Sequence, residues 1–151
     1  MTTPQSETIT SDRIERSIAI AATPERVWPI VSEPGWWINE CTVRPHRIDD
    51  NEDGTVTVHD ETHGGWRLRV ERLDEPRYAA FRWIGREDDT EGAGTLTEFW
   101  LDEVEGGATL RVVESGLDTI PEERREAYLR ENTHGWEAEM AAARDAAEAG
   151  A

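Results

Sequence analysis

Residues 121–148 read PEERREAYLRENTHGWEAEMAAARDAAE, and this stretch determines how the rest of the chain is expected to fold. Its apolar side chains recur at steps of seven, four, three and four residues, at Leu129, Trp136, Met140, Ala143 and Ala147. This spacing places them on one stripe of a helix. At about 1.5 Å per residue the helix would be about 40 Å long, enough to cross a whole sheet. Gly135 costs about 1 kcal/mol relative to alanine inside a helix, so we expect a close contact or a slight kink there.

The chain before this helix has the two-residue period of β-strands. Turn-forming residues at 50–54 and 105–107 separate neighbouring apolar–polar alternations, as in β-hairpins. The predicted strands are residues 13–21, 42–49, 55–62, 66–71, 78–86, 95–104 and 108–115.

A short helical region is predicted between the first and second strands. Thr23 precedes Pro24, which is typical of an N-cap followed by proline at the first helical position. Pro29 removes one backbone hydrogen bond, so the helix should be short or distorted. Residues 36–38 (WWI) are expected to form a second short turn of helix.

These elements predict an α+β fold: a curved antiparallel sheet of about seven strands, two short helices after strand one, and a long C-terminal helix packed across the sheet. A sheet with one apolar face needs a cover, and only the last helix is long enough to supply it. Residues 13–148 would form this domain, and residues 1–12 a flexible N-terminal tail. One helix on a strongly curved sheet rarely fills the space beneath it, so a cavity is expected.

Composition restricts the partners. The chain of 151 residues carries 33 acidic and 16 basic residues, a net charge of −17, and every basic residue is arginine. Such a negative surface repels nucleic acid and anionic membranes. The single cysteine, Cys41, excludes an internal disulfide and fits a reducing compartment. With no apolar run long enough to span a bilayer and no signal-peptide pattern, we expect a soluble cytoplasmic protein.

Seven tryptophans are the compositional oddity, because packing alone rarely requires so many. They could simply fill the core, or several could line a cavity and stack on a flat ligand. The candidate aromatic and apolar ligand-binding residues are Trp28, Trp36, Trp37, Trp66, Phe81, Trp83, Phe99, Trp136 and Met140. Trp100 has the opposite strand parity to Phe99, so it could mark an outer contact surface.

Two polar residues are candidate anchors for a guest. Glu114 shares strand parity with Leu110 and Val112, so its carboxylate should face the apolar side, where it needs a partner or has its pKa raised. It could orient a ligand or accept a proton, or it could make only a structural hydrogen bond or an ion pair. His134, beside Gly135, could be a second polar group of the pocket or a surface residue.

The sequence contains no recognisable catalytic or metal-binding motif. His59 and His63 are four residues apart, but on a strand their rings would lie about 13 Å apart and could not share an ion. Cys41 and His46 form no recognisable nucleophile pair, and no serine lies in a nucleophile elbow. No glycine-rich phosphate loop is present either. We therefore predict no cofactor, no metal and no catalytic residues.

The two ends of the domain carry a family resemblance. Residues 18–28 (IAIAATPERVW), the pair Trp36-Trp37, residues 106–117 (GGATLRVVESGL) and residues 132–136 (NTHGW) resemble, in this order and spacing, the START-like helix-grip superfamily, also called SRPBCC. Within it, the chain looks like the branch named after the activator of the heat-shock protein 90 ATPase. Pro29 and the acidic residues 87–94 depart from the pattern. The resemblance implies the fold strongly and the function weakly, because the superfamily includes lipid carriers, receptors, cyclases, oxygenase subunits and co-chaperones.

The function predicted on these grounds is binding of a small hydrophobic or aromatic molecule between the sheet and the C-terminal helix, by a monomer or homodimer. Two alternatives stay open. One is a co-chaperone-like regulator of a heat-shock chaperone ATPase, with a role in the stress response. The other is an enzyme similar to polyketide cyclases and aromatases, in which a polar pocket residue moves a proton.

Overall fold

The computed structural model describes residues 8–9, 13–38, 43, 45–62, 64–86, 94–117, 120 and 122–150. The elements are β1 (Thr8–Ile9), β2 (Arg13–Ile20), α1 (Pro24–Val31), β3 (Arg47–Asp50), β4 (Val56–Asp60), β5 (Gly64–Asp74), β6 (Tyr78–Arg86), β7 (Leu96–Val104), β8 (Gly107–Ser115) and α2 (Glu122–Glu148). The strands form one antiparallel sheet in the order β1-β2-β8-β7-β6-β5-β4-β3. The predicted α+β helix-grip fold is confirmed, with eight strands in the described residues where about seven were expected.

The additional strand lies in the predicted N-terminal tail. In β1, Thr8 pairs with Glu15 and Ile9 pairs with Ile14 of β2. These two residues therefore have regular structure, because the edge of β2 offers them backbone partners. The other residues of the segment 1–12 lie outside the described part of the chain.

The first helix is short, as Pro29 led us to expect. Thr23 is its N-cap, with the side-chain hydroxyl accepting a hydrogen bond from the Arg26 backbone N–H at 3.3 Å. The helix contains 8 residues and includes Pro29. The predicted second helical turn consists of hydrogen-bonded turns, in which the Trp36 N–H donates to the Glu33 carbonyl and the Ile38 N–H donates to the Gly35 carbonyl.

The pairing of β5 with β6 contains two register irregularities, between Arg67 and Leu68 and between Val70 and Arg72. Such bulges increase the local twist and bend the strands. The sheet therefore curves around its apolar face instead of lying flat under the helix.

Helix α2 covers that face and packs against β2 and α1. The buried side chains include Trp136, Met140, Ala143 and Ala147, as the helical spacing predicts, and also Glu139 and Ala142. The side chain of Leu129 lies outside the described residues. The end of α2 is fixed to the start of α1, because the Arg26 guanidinium donates to the Ala147 carbonyl at 2.9 Å.

Of the two alternatives expected at Gly135, the close contact is wrong. The helix is continuous from Glu122 to Glu148, and a Cβ atom added at Gly135 would meet nothing within 4 Å. The glycine is exposed, so it lies beside open space and not in a close contact.

Trp100 lies on the outer face of the sheet, as its parity predicts, but its ring is half-buried by neighbours. The Arg111 guanidinium lies 4.1 Å from the ring centroid, and the Tyr78 ring is 5.2 Å away. The side chains of this same domain therefore already contact the ring.

Candidate functional site

A pocket of about 320 Å³ opens between the sheet and the middle of α2. The turns after α1, strands β5 to β8 with the residue before β7, and one side of α2 supply its walls. The lining residues are Trp37, Ile38, Trp66, Trp83, Thr95, Thr97, Glu114, Asn132, Gly135, Trp136 and Glu139. The space that a curved sheet leaves beneath one helix is thus present in the described structure.

Trp37 is the centre of the aromatic wall. Its ring centroid lies 5.7 Å from that of Trp136 on α2 and 6.4 Å from that of Trp83 on β6. Trp83 in turn packs on Trp66 of β5, with 4.9 Å between centroids. The four indoles therefore form a connected surface from the helix across to the sheet, suited to contact with a flat or apolar molecule.

Glu114 fixes the polar side of the pocket. Its side chain is buried, with 4% of the residue exposed, and accepts hydrogen bonds from three neutral donors. The Trp136 indole N–H donates to Oε1 at 3.0 Å, the Asn132 amide to the same oxygen at 3.3 Å, and the Thr95 hydroxyl to Oε2 at 3.1 Å. The carboxylate thereby fixes the orientation of one indole of the aromatic wall.

The opposite side of the pocket depends on His46. Its side chain is almost fully buried, and its Nε2 lies 2.8 Å from Oδ1 of Asp60 and 2.9 Å from the Ile38 carbonyl oxygen. Both partners are acceptors, so Nε2 carries the hydrogen. His46 thus holds the backbone of a pocket-lining residue against the end of β4.

Glu33 and Gly35 belong to the same side. The Glu33 carboxylate lies 3.9 Å from Nδ1 of His46. Burial raises the pKa of Glu33 above its ordinary value, and the charge of His46 offsets part of that shift. Gly35 has a φ of +73°, and a Cβ there would lie 2.9 Å from a Val58 methyl group, so only glycine fits the turn that presents Trp36 and Trp37.

Helix α2 supplies a glycine and an acidic side chain to the edge of the pocket. Gly135 leaves room beside the pocket, and Glu139, one helical turn further on, is buried with 9% of the residue exposed. Glu137, on the neighbouring face, forms an ion pair with the buried Arg16 of β2. Two acidic side chains of this helix therefore differ in role, because Glu139 lines the pocket and Glu137 forms an ion pair with the sheet.

The structure brings together only part of the predicted site. Of the predicted residues, Trp37, Trp66, Trp83, Glu114 and Trp136 line the pocket. Five others, which the pocket walls do not include, are buried in the core that supports them: Trp28, Trp36, Phe81, Phe99 and Met140. The side chain of His134 lies outside the described residues, as do Cys41 and His63.

Six lining residues were not predicted from the sequence: Ile38, Thr95, Thr97, Asn132, Gly135 and Glu139. Two signals could have found most of them. Thr95 and Thr97 share strand parity with Phe99, and Asn132, Gly135 and Glu139 lie three or four residues from one another or from Trp136 on the same helix. The turn that carries Ile38 has no such periodicity.

A family model described as "Activator of Hsp90 ATPase homolog 1-like protein" matches residues 21–143, which is most of the chain and includes most of the pocket. The chain belongs to this family. The resemblance seen in the sequence is thereby confirmed at the level of the branch. No curated protein is similar enough in sequence to be matched.

Solved structures share the fold at low sequence identity. Protein MLL2253 from Mesorhizobium loti is 17% identical with a TM-score of 0.66, over 88% of this chain and 94% of that one. The Aha1 dimer from Colwellia psychrerythraea is 20% identical with a TM-score of 0.63, over 90% and 96%. DynU16, a putative protein in the dynemicin biosynthetic locus, is 18% identical with a TM-score of 0.67, over 92% of this chain and 48% of that one. Likeness at this level shows the fold alone.

The described residues include neither a membrane-spanning helix nor a metal-binding cluster. No helix among them is both long and apolar enough to cross a membrane. In the same part of the chain, no three histidine, cysteine, aspartate or glutamate side chains are grouped as a metal site.

Proposed function

We propose that this protein binds a small hydrophobic or aromatic molecule in the pocket between the sheet and α2. The observation that carries the proposal is the unfilled volume of about 320 Å³ beside four indole rings. Small-molecule pockets range over about 300–1,000 Å³, and most are apolar with a few placed polar groups. This pocket is at the small end of that range, which favours a compact guest.

Affinity would come from the apolar surface that the guest and the indoles remove from water, at about 25 cal/mol per Å². The rings of Trp37, Trp83 and Trp136 are already held by their neighbours, so little side-chain order has to be gained on binding. The proposed ligand-contacting residues are those that line the pocket.

The family's name supports a second candidate function, regulation of a heat-shock chaperone ATPase. Measuring the ATPase turnover of a purified chaperone with and without this protein tests it directly. A cyclase-like reaction has less support, because Glu114 already accepts three hydrogen bonds from the protein, which favours a fixed carboxylate over a proton-transfer group. A cytoplasmic location, a role in the stress response and a monomeric or homodimeric state stay predictions.

Gly135 offers a test that separates binding from folding. Because a Cβ atom at Gly135 meets nothing within 4 Å, the side chain of Gly135→Leu should project into open space beside the pocket without disturbing the core. Gly135→Ala is the matched control, since both changes should stabilise the helix by up to about 1 kcal/mol. Native mass spectrometry and tryptophan-fluorescence titration against panels of lipids and polyketide-like aromatics would measure binding.

We expect at least one class in the panel to bind the parent protein and the Gly135→Ala variant. Gly135→Leu should weaken that binding about tenfold or more while thermal unfolding occurs at the same or a higher temperature. Absence of binding by the parent protein across the whole panel, extended to small aromatic and alkyl amines, would overturn the proposal. Equal binding by the leucine variant would place the guest elsewhere on the protein.

A further inference from the structure

The charged side chains that the structure describes in the pocket wall are all of one sign. Among its described lining residues, Glu114 and Glu139 are acidic and buried, and none is an arginine. The other polar groups of the wall are the neutral side chains of Thr95, Thr97 and Asn132. Among the described residues of the wall, an anionic guest would therefore meet two buried carboxylates and no arginine, and like charges at low dielectric cost several kcal/mol.

The indoles add to this preference. The face of a tryptophan ring attracts a cation, by about 0.5–1 kcal/mol at exposed sites and about 2 kcal/mol or more where water is excluded. Trp37, Trp66, Trp83 and Trp136 all line one small volume, so a cation inside it would lie near several indole rings together. Aromatic rings and carboxylates around one cavity form the arrangement that recognises ammonium groups.

Among the described residues, Arg16 is a buried cation that could neutralise the negative charge of the pocket wall. It is buried on β2, where it pairs with Val112, two residues before Glu114. Its guanidinium forms an ion pair with Glu137, and it is not part of the pocket wall. The electrostatic field of the whole protein also favours a cationic guest, because a net charge of −17 attracts cations from solution.

We propose that the guest of this pocket is a cationic amine: a compact aromatic or alkyl body that carries an ammonium group. This inference rests on the proposed binding function and specifies its ligand class. The apolar body packs on the indoles, and the ammonium lies between their faces and the carboxylates of Glu114 and Glu139.

The test uses two probes of nearly equal shape, phenyltrimethylammonium and tert-butylbenzene, which differ in charge. Benzoate serves as the anionic probe. Binding is followed by tryptophan fluorescence and by protein NMR at 0.05 M and 0.5 M NaCl, because added salt screens the surface field more than a buried contact. We expect the cation to bind at least tenfold more tightly than its neutral counterpart, about 1.4 kcal/mol, at both salt concentrations. Benzoate should not bind.

Two variants on α2 separate the pocket from the general field. Glu139→Gln and Glu126→Gln each remove one negative charge, but Glu126 is exposed and does not line the pocket. Glu139→Gln should weaken binding of the cation three- to tenfold and leave the neutral probe unchanged, whereas Glu126→Gln should change neither. Should Glu139→Gln not fold, Trp66→Leu should lower the preference for the cation by a similar factor, because it removes a ring face while keeping an apolar side chain.

The outcomes also distinguish this inference from the proposed function. Equal binding of the cationic and neutral probes, or a preference that disappears at 0.5 M NaCl, overturns the cation assignment and leaves hydrophobic binding intact. Binding of lipids or neutral aromatics from the panel, with no binding of phenyltrimethylammonium, would likewise overturn the cation assignment and leave hydrophobic binding intact. Failure of every probe and every panel compound overturns both.

Discussion

Two buried carboxylates support opposite sides of the pocket, and they have different kinds of partner. Glu114 accepts hydrogen bonds from three neutral side chains, two on α2 and one just before β7. Asp60, at the end of β4, accepts hydrogen bonds from the His46 ring and from the Thr62 backbone N–H. The first carboxylate joins the helix to the sheet, whereas the second joins the connection between α1 and β3 to an outer part of the sheet.

The difference separates global stability from the shape of the pocket. Contacts at Glu114 connect the two layers of the domain, so losing them should destabilise the whole fold. Contacts at His46 position Ile38 and the adjoining Trp37, so losing them should chiefly change one wall of the pocket. The two sides also differ in charge, because the described donors to Glu114 are neutral, whereas burial raises the pKa of Glu33 on the side of His46.

The largest effect is expected for Glu114→Ala. The change leaves the Trp136 N–H, the Thr95 hydroxyl and the Asn132 amide without their acceptor, at about 1–3 kcal/mol for each buried donor that finds no other partner. Since the pocket can admit water to some of them, we expect the free energy of unfolding to fall by about 3 kcal/mol, measured by urea denaturation.

Glu103→Ala is the control, because Glu103 is exposed on the neighbouring strand β7. It should change the free energy of unfolding by less than about 0.5 kcal/mol. Equal losses for the two variants would show that the Glu114 contacts do not join the helix to the sheet.

An intermediate effect is expected for His46→Ala. The Ile38 carbonyl and one oxygen of Asp60 lose a buried donor, but Asp60 keeps the Thr62 N–H, so the free energy of unfolding should fall by about 1–2 kcal/mol. The indole N–H signal of Trp37 should shift or broaden in ¹⁵N NMR spectra more than that of Trp136, which Glu114 still holds.

The matched control is His59→Ala on the solvent side of β4. His59 is partly exposed and contacts Asp49 at the surface, where such a pair contributes little. A loss of stability as large as that of His46→Ala, or an equal disturbance of both indole signals, would remove the distinction between the two sides.

The regular part of the fold could be predicted because it depends on periodic burial. The stripe through Trp136, Met140 and Ala143 and the parity of Phe81 and Trp83 follow from the geometry of helices and strands. β1 could not be predicted in the same way, because its two residues are ordered by the edge of β2 and not by a pattern of their own.

The candidate site could be predicted less completely, for a physical reason. Strand parity identifies the apolar face, but it does not distinguish aromatic side chains that fill the core from those that line a pocket. Phe99 and Trp83 have the same strand parity, yet Phe99 is buried in the core and Trp83 lines the pocket. The His46–Asp60 pair joins residues from an irregular segment and a strand end, where no sequence period exists. Three-dimensional contacts alone reveal it.

The smallest effect is expected for Glu33→Gln, and it depends on pH. Burial raises the pKa of Glu33 in the folded protein, so the fold favours the protonated form, and stability is lost as the pH rises from about 4.5 through the raised pKa. Removing the carboxylate should therefore raise the melting temperature at pH 7 and leave it unchanged near pH 4. The rise should be less than about 2 °C, because the side chain is partly exposed.

Glu52→Gln, at an exposed loop position, should have no effect on the melting temperature at either pH. A lower melting temperature for Glu33→Gln at pH 7 would mean that attraction to His46 outweighs the cost of burial, and that this side of the pocket is stabilised by charge as well as by hydrogen bonds.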